Sequence, residues 1–207
     1  MKKLTKITIL LIFVAFATNS YAQKFGIKTG INIASVSVKD DDEDISDEIY
    51  SKVGLQLGPV VEFPMGDLLS LETGLIFSNK GARDEARFAD ATIISLNYFE
   101  MPVNLRIGFD AGPMKIYGNF GPYVGIAISG RYEDEKFEIG NDEDEDDIKR
   151  TDIGLNIGAG AGIRGFEFGL NYGTSLTSIA PQTVNGFKVK NNVFSIVFAY
   201  KFGKDYY

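Results

Sequence analysis

The chain has 207 residues, 28 acidic against 21 basic, with no histidine and no cysteine. That length suits one domain, and the net charge of −7 argues against a phosphate-binding face for nucleic acid. Lack of cysteine excludes a disulfide framework, a lipid-modified cysteine anchor and thiol chemistry; lack of histidine removes the commonest general base and metal ligand. No catalytic residue and no cofactor is expected.

The chain opens with "MKKLTKITILLIFVAFATNSYAQ". Lys2, Lys3 and Lys6 are a basic start, Ile7 to Ala17 is an apolar run too short to span a bilayer, and Ser20-Tyr21-Ala22 is a small-x-small cleavage site. The layout predicts a secretory signal peptide over 1–22 and a barrel domain over 23–207. No later segment approaches the roughly 20 apolar residues a spanning helix needs, so any membrane crossing must use strands.

From Gln23 onward the sequence alternates with period two, the strand signature. Eight runs are predicted. "KFGIKTGINIASVSV" sets Phe25, Ile27, Ile31 and Ile33 against Gly26, Lys28, Gly30 and Asn32. "KVGLQLGPVVEF" follows, then Leu68–Lys80, then "IISLNYFEMPVNLRIGF", in which Phe99, Met101, Val103, Leu105 and Ile107 oppose Tyr98, Glu100, Asn104 and Arg106. The fifth to seventh are "KIYGNFGPYVGIAIS", "RTDIGLNIGAGAGI" and "FEFGLNYGTS". The eighth, "NNVFSIVFAYKFG", places Phe194, Ile196, Phe198, Tyr200 and Phe202 on one face.

Long connections (Lys39–Ser51, Gly81–Ala91, Gly130–Lys149, Thr177–Lys190) alternate with short ones ("PMGD", "DAGPM", "RG"). An even strand number with this alternation is the plan of an outer-membrane barrel, with short periplasmic turns and longer outer loops. The predicted fold is all-β: a single eight-stranded antiparallel up-and-down transmembrane β-barrel, both mature termini periplasmic. The small face is rich in Gly, Ser, Asn and Ala, as a narrow lumen requires. The bulky face is rich in aromatics, with Phe25, Phe63, Phe109, Phe166, Tyr200 and Phe202 clustered at the short-turn ends like an interfacial girdle. Outer-membrane lipid is the expected partner. Pro59, Pro102 and Pro122 fall inside strands, where each removes a ladder donor, so bulges or displaced strand ends are expected there.

With strands four to six read, the chain resembles the PorT-like outer-membrane β-barrel family of Bacteroidota. The resemblance rests on "YFEMPVNLRI" (Tyr98–Ile107), "GNFGPYVGI" (Gly118–Ile126) and "DIGLNIGAGAGI" (Asp152–Ile163). It implies an outer-membrane location, a non-enzymatic barrel and, for one member type, assistance to a protein-secretion system; secretion or envelope proteins are the partners it implies. The chain departs from the common barrel ending, because "YKF" is followed by "GKDYY", leaving Phe202 and Tyr207 both open as the assembly-signal aromatic.

Two sets of charges are candidate sites. Lys28, Glu62, Glu72, Glu100, Arg106, Glu167 and Lys201 point to the lumen by parity. Buried charges must pair or neutralise, so they are expected to form an ion-pair network plugging the lower barrel. The acidic connections hold 17 of the 28 acids. Their carboxylates make Asp40, Asp42, Asp44, Asp142, Asp144 and Asp146 weak candidates for divalent cations such as Ca²⁺, although neither has the spacing of an EF-hand loop. The functional readings are an envelope scaffold or loop-acting barrel with a filled lumen, an accessory subunit of a secretion system, and a soluble lipocalin-like carrier.

Overall fold

Period-two alternation becomes a closed ring in the computed structural model, which describes residues 23–39, 49–84, 92–132, 135–140, 146–181 and 188–202. The predicted signal peptide and Tyr207 lie outside the described residues. The strands are β1 (Lys24–Lys39), β2 (Ile49–Pro64), β3 (Leu69–Gly74), β4 (Ile76–Asp84), β5 (Thr92–Ala111), β6 (Met114–Tyr132), the short β7 (Glu135–Lys136), β8 (Ile139–Gly140) and β9 (Ile148–Lys149), then β10 (Thr151–Ile163), β11 (Phe166–Ser175) and β12 (Lys188–Phe202). β3 and β4 are one stave broken at Leu75, so eight staves form the wall. Each pairs antiparallel with its neighbours, and β1 pairs with β12 from Phe25↔Phe202 to Lys39↔Lys188 to close it. Closure leaves no open edge. Three short turns join staves at one end. One is the two-residue Arg164–Gly165 hairpin, with φ of 50° and 85°, the left-handed pair that matches strand twist.

The prolines interrupt the ladder without shifting it. Leu57↔Phe77 and Val60↔Gly74 keep one register on either side of Pro59, and Leu75 N donates to Pro59 O at 3.1 Å. The same stave meets Pro102 on its other side, between Thr73↔Val103 and Ile76↔Glu100. Pro122 sits beside the missing rungs between Pro102↔Tyr123 and Leu105↔Phe120. The displaced strand end is therefore real at Gly74. The bulges occur elsewhere, between Ser51 and Gln56 and at Asn97/Tyr98.

Side-chain polarity is inverted relative to a water-soluble sheet. Leu55 and Phe166 are each 64% exposed, as are Phe25, Ile27, Met101, Ile107, Phe120 and Ile157 in large part, while Asp152 and Tyr98 are fully buried. A soluble carrier would gather the first set at its centre, so that alternative fails. The aromatic cluster at the short-turn end is in contact: ring centroids lie 4.7 Å apart for Phe166–Tyr200 and 4.9 Å for Tyr200–Phe202. Leu57, 54% exposed near the middle of the apolar belt, supplies a test. Leu57→Arg is expected to cost about 2–4 kcal/mol in urea titrations from lipid vesicles, the depth-dependent cost of a charge facing lipid. On a water-facing sheet it would stay within about 0.5 kcal/mol.

Candidate functional site

Inward parity carries charged side chains from seven staves into the lumen, where they form two separate groups. In the lower group, Arg106 Nη1 donates to Glu62 at 3.0 Å and to Glu72 at 2.6 Å, and its Nη2 donates to Glu167 at 3.0 Å. Its guanidinium carbon lies 3.7 Å from the centre of the Tyr117 ring. Lys201 contacts Glu62, donates to Glu72 at 2.6 Å and lies 3.2 Å from Glu167. Lys28 closes the group on Glu72. Three cations meet three carboxylates, and Arg106, Lys201, Glu62 and Glu72 are all buried. A buried ion needs good geometry and full hydrogen bonding to recover its desolvation cost; a fork-shaped guanidinium shared by three carboxylates meets that need.

This layer divides two cavities. Below it, at the short-turn end, is a vestibule of about 960 Å³ whose lining includes Glu62, Arg106, Glu167 and Lys201 together with Asp110, Lys115 and Arg164. Above it is a polar cavity of about 50 Å³, lined by Lys28, Asn32, Gln56, Ser78, Asn104 and Ser195 among others. Such a volume has room for a few waters only.

Glu100 does not join the lower group. It lies six residues before Arg106 on β5, about 20 Å along the strand, and pairs with Lys80 instead. Lys80 is also 3.3 Å from Asp152 Oδ2 and faces the rings of Tyr98 and Tyr123, 5.1 and 4.6 Å from their centres. Asn191 Nδ2 donates to Asp152 Oδ2 at 3.0 Å, and the Tyr123 hydroxyl reaches both Asp152 Oδ2 and Ser175 Oγ at 3.3 Å. Sequence reasoning missed Lys80 and Asp152 as site residues. Parity was the available signal: Lys80 follows Ser78 by two, and Asp152 precedes Gly154 by two.

An apolar roof closes the long-loop end above this second group. Leu96, Tyr98, Ala127, Ile148 and Ile179 form a buried cluster, with Phe137, Ile139 and Val189 against it. Ile148 and Ile179 come from connections, not from the wall. Lys149 N donates to Ile179 O and Ile179 N to Val189 O, both at 2.8 Å, so the connections are tied across the mouth. Of the acidic cation candidates, Asp40, Asp42, Asp44, Asp142 and Asp144 lie outside the described residues. Asp146 sits against Gly140, and no group of three metal-ligating side chains occurs among the described residues.

A closed eight-stave ring, an apolar outside and a charged inside define a membrane barrel. No curated protein matches the chain in sequence. Among solved structures, the outer membrane protein OprG from Pseudomonas aeruginosa is 17% identical, covers 89% of this chain and 98% of its own, and superposes with a TM-score of 0.50. Neisserial surface protein A is 16% identical over 86% of this chain and 97% of its own, with a TM-score of 0.48. The family model described as outer membrane protein beta-barrel domain matches residues 21–180. The chain therefore belongs to the outer membrane protein beta-barrel domain family and is a β-barrel protein embedded in the lipid of the outer membrane.

Proposed function

We propose that this protein is a non-enzymatic, non-conducting barrel that acts as an envelope scaffold and through its acidic long connections, which face the cell exterior while both mature termini face the periplasm. The lower ionic layer carries this reading. Six charged side chains drawn from six staves cross-link the lumen between the vestibule and the cavity above, and the apolar roof supports it from the other end. A narrow eight-stave ring filled in this way leaves no aqueous path. Purified protein in planar bilayers is expected to give no conductance steps above the bare bilayer; stable open channels would reject the reading. Absence of histidine and cysteine supports the non-enzymatic part.

The vestibule favours a second reading, an accessory subunit of a protein-secretion system. Its volume of about 960 Å³ opens among the short turns, where a periplasmic partner would engage. A photo-crosslinker placed at Lys115 in whole cells distinguishes the readings: a discrete adduct with secretion machinery supports the subunit, and its absence supports the scaffold.

A further inference from the structure

The two ionic groups of the lumen differ in their balance of charge. In the lower group three carboxylates face three cations, and every member has a partner. In the upper group, among the described residues, two carboxylates, Glu100 and Asp152, share one cation, Lys80. One negative charge is left over where the walls exclude water: Asp152 has 0% of its surface exposed and Asn191 1%. Uncompensated buried charge costs several kcal/mol, so its persistence needs a reason.

Hydrogen bonding points to the same place. Asp152 uses only one of its oxygens: Lys80, Tyr123 and Asn191 all approach Oδ2. Oδ1 has no donor, and neither does Asn191 Oδ1 on the neighbouring side chain. Asn191 spends its amide hydrogens on Asp152 Oδ2 and Tyr98 Oη, so its geometry fixes the carbonyl oxygen as an acceptor. Native proteins rarely leave such groups without a partner. Two adjacent buried residues thus present acceptor oxygens, one of them charged, under a roof formed by Ile148 and Ile179.

We propose that the upper lumen is a binding site for one monovalent alkali cation, with Asp152 Oδ1 and Asn191 Oδ1 as two of its oxygen donors. Hard cations take oxygen donors of this kind. A deficit of one charge selects a single positive charge over a divalent ion, which would leave the site positive and wants more carboxylates than the two present. The cation is a structural one: it balances Asp152 and pins β10 to β12 beneath the roof.

The test uses the full-length protein in detergent micelles. The midpoint of heat-modifiable gel migration is measured in NaCl, in KCl and in N-methyl-D-glucamine chloride at equal ionic strength. The inference expects a midpoint several degrees higher, rising saturably, in at least one alkali salt; equal midpoints in all three overturn it. Asp152→Asn is expected to abolish the response while leaving the acidic connections intact, and a retained response overturns the site. Should that variant not fold, Asn191→Leu serves the same comparison. Crystals of the unaltered protein grown in RbCl give an independent reading. An anomalous peak between Asp152 and Asn191 supports the site; its absence, or a response confined to Ca²⁺, rejects a monovalent ion.

Discussion

Arg106→Leu is expected to cost about 3–5 kcal/mol, the toll for breaking a buried ion network from one side. The variant leaves Glu62, Glu72 and Glu167 to be shared by Lys28 and Lys201, and it removes the stacking on Tyr117. The readout is urea-induced loss of the fast-migrating folded band. Leu at the exposed Lys136, outside the lumen, should stay within about 0.5 kcal/mol. The combination of Arg106→Leu with Glu72→Leu separates mechanism from mere damage. If stranded carboxylate charge causes the loss, the double variant recovers part of it, because neighbouring effects in one network are not additive. If single and double variants are both harmless, the layer does not hold the barrel together.

The second large effect comes from a residue with no side chain. A Cβ added to Gly121 would stand 1.9 Å from the carbonyl oxygen of Val103 and 2.8 Å from Asn104 Cα. Both are backbone atoms of the adjacent stave, so no rotamer change relieves the clash. Gly121→Ala is expected to cost about 3 kcal/mol, at the upper end of overpacking, and to lower the yield of folded barrel on refolding into vesicles. Gly118 on the same strand meets nothing nearer than 3.8 Å. Gly118→Ala should be neutral or gain up to about 1 kcal/mol, since alanine loses less freedom than glycine on folding. Equal behaviour of the two variants would show that strand composition, not close approach, sets the cost.

How much of this was legible beforehand differs by level. Strand number, facing and the short turns follow from alternation, because successive side chains of a strand must point to opposite sides. Phe25 and Ile27 outward, Glu72 and Arg106 inward needed nothing more. The layer of Lys28, Glu62, Glu72, Arg106, Glu167 and Lys201 was legible too, once topology put strand starts and ends at one height. Glu100 was drawn into that layer because parity alone carries no height. Lys80 and Asp152 were passed over for a related reason: each lies at the edge of a predicted run, beside a charged connection where one more charge looks ordinary. The apolar roof was illegible. Ile148 and Ile179 stand in connections without period, and only the folded chain shows that they turn inward. The proline rows were half legible: a missing donor is certain from sequence, but whether the wall answers with a bulge or a skipped rung depends on both neighbours.

The seam between β1 and β12 joins the chain's two ends through fifteen rungs, with Ser195 Oγ donating to Asn32 Oδ1 across 163 positions. Contacts so remote in sequence form slowly, and until they form both edge strands offer unpaired backbone to any stranger. Delivery is consequently a problem the mature fold cannot solve for itself: the chain must be escorted to its bilayer still open, and insertion must be decided only when the final strand has arrived. Truncation anywhere inside Lys188–Phe202 should therefore yield proteolytic debris, not a smaller barrel.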